Sequence, residues 1–177
     1  KSKPKEDSMA EKILIIGGVA LGPKAACRCK RLAPDAEVTL VDENTFISYG
    51  GCGIPYYVSA EVQNLDDLRS TNAGTIRDPE FFRDLKGVNV ITRTRAISID
   101  RKLKTVLVEK LDEGRQEALP YDKLVIATGA SPRMPAVEGA DLGHVLSLTR
   151  LEAARAIREA CEARKVNEAV IVGGGFI

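Results

Sequence analysis

A single thiol set among glycines is the residue best equipped for chemistry: Cys52 lies in Ser48-Tyr49-Gly50-Gly51-Cys52-Gly53-Ile54-Pro55-Tyr56-Tyr57, ten residues beyond the acidic Asp42. A thiol beside a dinucleotide trades electrons with a flavin and forms a mixed disulfide or a sulfenic acid, provided its thiolate is favoured. Gly50, Gly51 and Gly53 allow a planar cofactor close to the backbone. Pro55 fits the first turn of a helix, whose N-terminus would favour thiolate over thiol. The competing reading is a small buried hydrophobe, the commonest fate of a free cysteine. The glycine setting favours redox use.

No cysteine follows Cys52 within the next turn or two, so a CxxxxC disulfide cannot form and the sulfur partner comes from substrate, from oxygen chemistry or from elsewhere. Upstream, Gly17-Gly18-Val19-Ala20-Leu21-Gly22 carries glycine at the first and sixth positions of GxGxxG and valine at the third. Gly17 suits the tight turn and Gly22 close helix–strand packing, while the helix N-terminus offers N–H groups to a pyrophosphate. Asp42 stands 20 residues after Gly22 at the end of a second strand, where a carboxylate accepts hydrogen bonds from ribose hydroxyls. A plain α/β domain with a tight turn would explain the glycines alone. Strand, turn, helix and Asp42 together point to a dinucleotide.

The helix after the turn has Lys24, Arg28 and Arg31 at i, i+4 and i+7 on one face, with Ala25, Ala26, Cys29, Leu32 and Ala33 expected inward. That basic stripe is either a solvated face or a hold for the phosphates of a bulky anionic thiol substrate. Cys27 and Cys29, two residues apart, point in different directions and cannot act as a pair. Together with Cys161 they read as structural.

Composition removes other classes. The chain has 177 residues, 44% hydrophobic and 29% charged, with a formal net charge of +1, so neither disorder nor a global field for nucleic acid is indicated. Its four cysteines lack CxxC spacing, there is one histidine, and no HExxH or GxSxG occurs. No metal site, zinc hydrolase or Ser-His-Asp enzyme is therefore expected. The longest apolar runs, Ile13 to Ile16 and Leu124 to Ala127, are too short to span a bilayer, and residues 1–11 read as a polar, flexible tail without a secretory signal. The expectation is a cytoplasmic protein with reduced thiols and no membrane or nucleic-acid partner.

The pattern predicts a strand at Lys12–Ile16, a helix to about Ala33 and a strand at Glu37–Val41, a βαβ unit of a parallel sheet covered on both faces. A short helix is expected around Asp78–Leu85 and a strand at Val88–Ile91. Alternating segments from Ala96 past the turn at Asp112–Arg115 predict an antiparallel meander, and Tyr121–Ala127 a buried strand. Leu151–Arg164 reads as an amphipathic helix. Glu168–Val172 reads as a strand ending in Gly173-Gly174-Gly175-Phe176-Ile177, which repeats the N-terminal pattern and predicts the start of a second nucleotide-binding unit in a longer chain.

From about Lys12 to Ile177 the sequence resembles the flavin-dependent pyridine nucleotide–disulfide oxidoreductases, in their single-cysteine branch of coenzyme A-disulfide reductases, persulfide reductases and NADH oxidases or peroxidases. The glycine turn, Ser48 through Tyr57, and Leu124-Val125-Ile126-Ala127-Thr128-Gly129-Ala130-Ser131-Pro132 carry the resemblance. It implies a Rossmann-like α/β FAD-binding domain over 12–150 with a parallel sheet and an antiparallel meander insertion. Residues 151–177 would then link to and begin an NAD(P)H-binding domain. It also implies FAD contacts from Gly17, Val19, Ala20, Gly22, Asp42, Glu43, Thr128 and Gly129, and a catalytic Cys52. Substrate would lie along Lys24, Arg28, Arg31 and Ser48. Ala20 stands where oxidases and peroxidases of the branch commonly carry a histidine, which favours reduction of a coenzyme A disulfide or persulfide, or of a similar small disulfide. Gly51 departs from the asparagine common before the cysteine. A sulfenic-acid oxidase or peroxidase, an electron-transfer reductase and a non-catalytic FAD-binding module are the alternatives, and a homodimer is implied at full length.

Overall fold

The computed structural model describes residues 10–174. Residues 1–9 of the expected tail and 175–177 of the terminal glycine run lie outside the described residues. In chain order the elements are β1 (Lys12–Ile16), α1 (Leu21–Leu32), β2 (Glu37–Val41), α2 (Ile54–Val58), α3 (Pro79–Lys86), β3 (Asn89–Ile91), β4 (Thr94–Asp100), β5 (Thr105–Lys110), β6 (Arg115–Pro120), β7 (Lys123–Ile126) and α4 (Leu151–Glu162). They fall into two compact units. The first comprises the described residues up to Gly50 with Arg69–Ser131, and the second comprises Gly51–Leu68 with the described residues from Pro132 on.

In the first unit four strands form a wholly parallel sheet in the order β3-β2-β1-β7, and β4, β5 and β6 form a separate antiparallel sheet. The unbroken apolar run of β1 is explained by its two neighbours. Ile13 and Ile15 enter one core with Ala26 of α1 and Phe82 of α3, whereas Leu14 and Ile16 enter another with Val106 and Val108 of β5. Side chains alternate across a strand, so a strand buried on both faces must be apolar throughout. Helices cover one face and the meander covers the other. Helix α3 starts where Asp78 accepts a hydrogen bond from the Phe81 N–H at 2.8 Å and Pro79 supplies a preset φ.

Several expectations are corrected. Leu32 is 68% exposed, because it lies about 120° around α1 from buried Ala26 at 3.6 residues per turn, off the narrow inward stripe. β7 starts at Lys123 and not at Tyr121, and as the edge strand beside β1 it leaves Ile126 59% exposed instead of buried. No strand forms over 168–172. Val170, Ile171 and Val172 are exposed, and a strand exists only where a neighbour takes its backbone hydrogen bonds.

In the second unit a short 3-10 turn, Gly51–Gly53, leads into the five-residue α2. The amphipathic α4 packs on α2, with Leu151 and Ala154 fully buried. Cys161 is exposed on α4, so packing does not account for it. No helix among the described residues is long and apolar enough to cross a membrane.

Candidate functional site

In the first unit the carboxyl ends of β1, β2 and β7 bring the sequence-distant motifs together. Gly17 leaves β1 with φ +108° and donates its N–H to the Val41 carbonyl at 2.9 Å. A side chain there would run into the Ala127 backbone, and one at Gly22 would overlap the Gly17 carbonyl oxygen. The turn is therefore closed by backbone against backbone, which only glycine permits. Ala127 continues the β7 ladder by donating to the Ile16 carbonyl at 2.7 Å, and this seats the exposed Thr128 and Gly129 next to the turn.

Asp42 is buried at this junction. Its carboxylate accepts from the Gly18 N–H at 2.6 Å on one oxygen, and from the Asn44 N–H and side-chain amide at 2.7 and 2.8 Å on the other. A carboxylate offers about four lone-pair positions, so one acceptor position remains for a hydroxyl. Asp42 thus ties β2 to the glycine turn, a role that its position alone does not reveal. Glu43 forms an ion pair with Arg95 of β4 at 3.0 Å, anchoring the meander. Ser48 is buried with φ +51°, an uncommon conformation for a non-glycine residue, and its N–H bonds the Gly18 carbonyl at 2.8 Å.

Val19 is half-buried and Ala20 exposed at the start of α1. No side chain caps that N-terminus, and no acidic residue stands in its first turn. Its free N–H groups fit an anion such as a pyrophosphate. A turn that admits no Cβ at Gly17 or Gly22, an open helix end and a carboxylate with one position left form a cradle that fits a dinucleotide. On the outer face of α1, Lys24, Arg28 and Arg31 are all exposed, as the periodicity requires. Cys27 and Cys29 pack against the helix-side core. Burial pushes the Cys27 thiol above its ordinary value, partly opposed by the charges of Lys86 and Arg31.

Cys52 belongs to the second unit and is exposed within its 3-10 turn, which rules out a buried hydrophobe. Gly51 has open space around it, whereas Gly53 is in close contact with the Leu68 side chain and is not free to meet a cofactor from that side. Helix α2 begins two residues after Cys52 and runs for a single turn, Ile54–Val58.

One further side chain has a role that the motifs do not announce. Arg158 of α4 is buried, donates to the Tyr57 and Val62 carbonyls at 3.1 and 2.7 Å and to Gln63 Oε1 at 3.3 Å, and pairs with Glu162 at 2.8 Å. Its guanidinium also lies over the Tyr57 ring, 4.7 Å from the centroid. A signal for it existed: Leu151, Ala154 and Arg158 follow the spacing of one apolar helix face, where an arginine demands partners.

The sequence profile of the pyridine nucleotide-disulphide oxidoreductase family matches residues 11–177. An NAD(P)H coenzyme A polysulfide/persulfide reductase of Pyrococcus horikoshii is 36% identical over 171 residues, covering 97% of this chain and 36% of that protein. An NADH oxidase of Enterococcus faecalis is 34% identical, over 94% of this chain and 35% of that protein. Among solved structures, an NAD-dependent persulfide reductase from A. fulgidus superimposes with a TM-score of 0.82 at 43% identity, over 86% of this chain and 28% of that one. The chain spans about a third of the length of the curated relatives it matches. A profile match over nearly the whole chain, joined to the glycine turn and parallel sheet, establishes that the chain belongs to the pyridine nucleotide-disulphide oxidoreductase family.

Proposed function

We propose that this chain carries the FAD-binding portion of an NAD(P)H-linked reductase of coenzyme A disulfide, coenzyme A persulfide or a similar small disulfide, acting through Cys52. The observation that carries the reading is the exposed Cys52 thiol in a glycine-flanked turn, while Cys27 and Cys29 pack against a core. The family is FAD-dependent, and relatives bear the names of persulfide reductases and coenzyme A disulfide reductases.

In this reading Gly17 and Gly22 let the backbone of the turn close tightly, and the open end of α1 binds the pyrophosphate of FAD. Asp42 accepts from a ribose hydroxyl, with Val19, Ala20, Glu43, Thr128 and Gly129 completing the cradle. The chemistry supplied by bound FAD is two-electron transfer from NAD(P)H to sulfur. Lys24, Arg28, Arg31 and Ser48 hold the anionic part of the substrate. The Cys52 thiolate attacks one sulfur of the substrate disulfide, forming a Cys52 mixed disulfide as the substrate S–S bond breaks and the first thiolate leaves. Two electrons and a proton then cleave the mixed disulfide, releasing the second thiol and regenerating the Cys52 thiolate. With a persulfide, hydrosulfide is the first leaving group. The protein at its natural length works as a cytoplasmic homodimer, in which residues from 151 on lead into the NAD(P)H-binding domain.

The test is anaerobic oxidation of NAD(P)H by the natural-length protein with coenzyme A disulfide or persulfide, read as thiol or sulfide release. Two thiols per NAD(P)H from the disulfide are expected. No release from either substrate sinks the proposal. The second reading, an NADH oxidase or peroxidase passing through a Cys52 sulfenic acid, is favoured by the NADH oxidase among the relatives and opposed by Ala20 in the place of a histidine. Consumption of oxygen or peroxide without an added disulfide selects it.

A further inference from the structure

The five residues of α2 are too few to hold a helix by themselves, since isolated helices below about 12–15 residues are marginal in water. The placement of Cys52, two residues before α2, therefore depends on what grips that helix. At its start, Ile54 is buried and Leu68 packs closely on Gly53. At its end, the Tyr57 carbonyl accepts from the Ala60 N–H at 3.2 Å, and Arg158 adds a side-chain donor to that carbonyl and to the Val62 carbonyl beyond the helix. Four of its five N–H donors are engaged: Nη1 takes the Tyr57 and Val62 carbonyls, Nη2 takes Gln63, and Nε takes Glu162.

The same guanidinium covers the Tyr57 ring, so one side chain holds both a ring and a carbonyl of α2 and restrains its rotation as well as its slide along α4. A cation at a helix C-terminus is also electrostatically favourable. We infer that Arg158 is a positioning residue for Cys52: it fixes α2 on α4, and through α2 the direction in which the thiol is presented. This deepens the proposed function and rests on it for the catalytic readout.

The experiment compares Arg158→Met and Arg158→Lys with the parent in the natural-length protein. It reads kcat and the KM for NAD(P)H in disulfide reduction, together with the pH profile of iodoacetamide alkylation at Cys52, assigned by mass spectrometry. Arg158→Met keeps the stem and removes every donor. We expect kcat to fall on the order of tenfold or more, as misplaced reacting groups do, with KM for NAD(P)H unchanged and the Cys52 alkylation profile altered. Arg158→Lys, with a charge but no fork, restores part of both.

A parent-like kcat and alkylation profile in Arg158→Met, even with a lowered Tm, overturns the inference, because the clamp would then be structural only. Where Arg158→Met does not fold, Gln63→Ala/Glu162→Ala removes two of the four hydrogen bonds from exposed partners. A twofold or larger loss of kcat with an altered alkylation profile supports the inference, and no change in either overturns it. Cys52→Ser distinguishes the two failures. If it still releases thiol, the proposed function fails while alkylation of the Arg158 variants still reports on the clamp.

Discussion

The two units hold their expected chemistry by opposite means. In the first, the glycine turn is closed by backbone against backbone, with Gly22 against the Gly17 carbonyl and Gly17 against Ala127, all within a parallel sheet buried on both faces. In the second, an exposed thiol precedes a single helical turn whose far end is held by one buried arginine. A backbone contact has no room for any added atom. A side-chain clamp loses its hold in steps as donors are removed. The first arrangement suits a cofactor that stays bound, the second a nucleophile whose orientation must be set finely.

The sharpest test of this contrast is Cys52→Ser. It is expected to lower thiol release by roughly a thousandfold or more, as loss of a nucleophile does. Because the site is exposed, the unfolding free energy should stay within about 0.5 kcal/mol of the parent. Urea unfolding beside the thiol assay checks both halves.

Gly22→Ala reverses the pattern. A single methyl group meets the Gly17 carbonyl, so a loss of about 3 kcal/mol in urea unfolding is expected, with loss of flavin absorbance after gel filtration. Unchanged stability would mean that the turn is not closed as described.

Asp42→Ala leaves the Gly18 N–H and the Asn44 donors without their acceptor and should cost about 2 kcal/mol, with weaker FAD binding in a fluorescence titration. Asp78→Ala removes only the cap of α3 and should cost about 1 kcal/mol with FAD affinity unchanged. That variant separates general destabilisation of the first unit from damage to the cradle.

The smallest effect concerns pH. Burial raises the Cys27 thiol above its ordinary value, so the folded state holds this proton more tightly than the unfolded chain does. The stabilisation is complete below the ordinary thiol value and is lost as pH rises through the raised one. Relative to Cys27→Ala, the parent should therefore lose stability in alkaline urea titrations.

Much of the first unit was legible because its signals are local. A glycine-punctuated apolar run, a helix with a 3.6-residue stripe and a second apolar run specify a βαβ unit whatever lies around them. The bounds of β1 and β2 fall where the pattern put them. Leu32 faces solvent because apolarity does not say how wide a helix's buried stripe is, and the stripe of α1 is narrow. The segment 168–172 has the composition of a strand, yet its backbone finds no pairing among the described residues. The role of Arg158 is hard to read locally because a charged residue on an amphipathic helix normally faces water, and its backbone acceptors lie about a hundred residues earlier in the chain.

Short segments carry their own φ freedom, charge and periodicity, so a thiol among glycines and a glycine turn with an acid 20 residues on are readable without any knowledge of the fold. That Asp42 bonds Gly18, that Ala127 closes on Gly17, that Cys52 is exposed and that Arg158 bonds the Tyr57 carbonyl of α2 follow from the folded chain alone. Each of these depends on backbone atoms from distant segments meeting within a few ångströms, and that distance is set by how the strands pair and the helices pack.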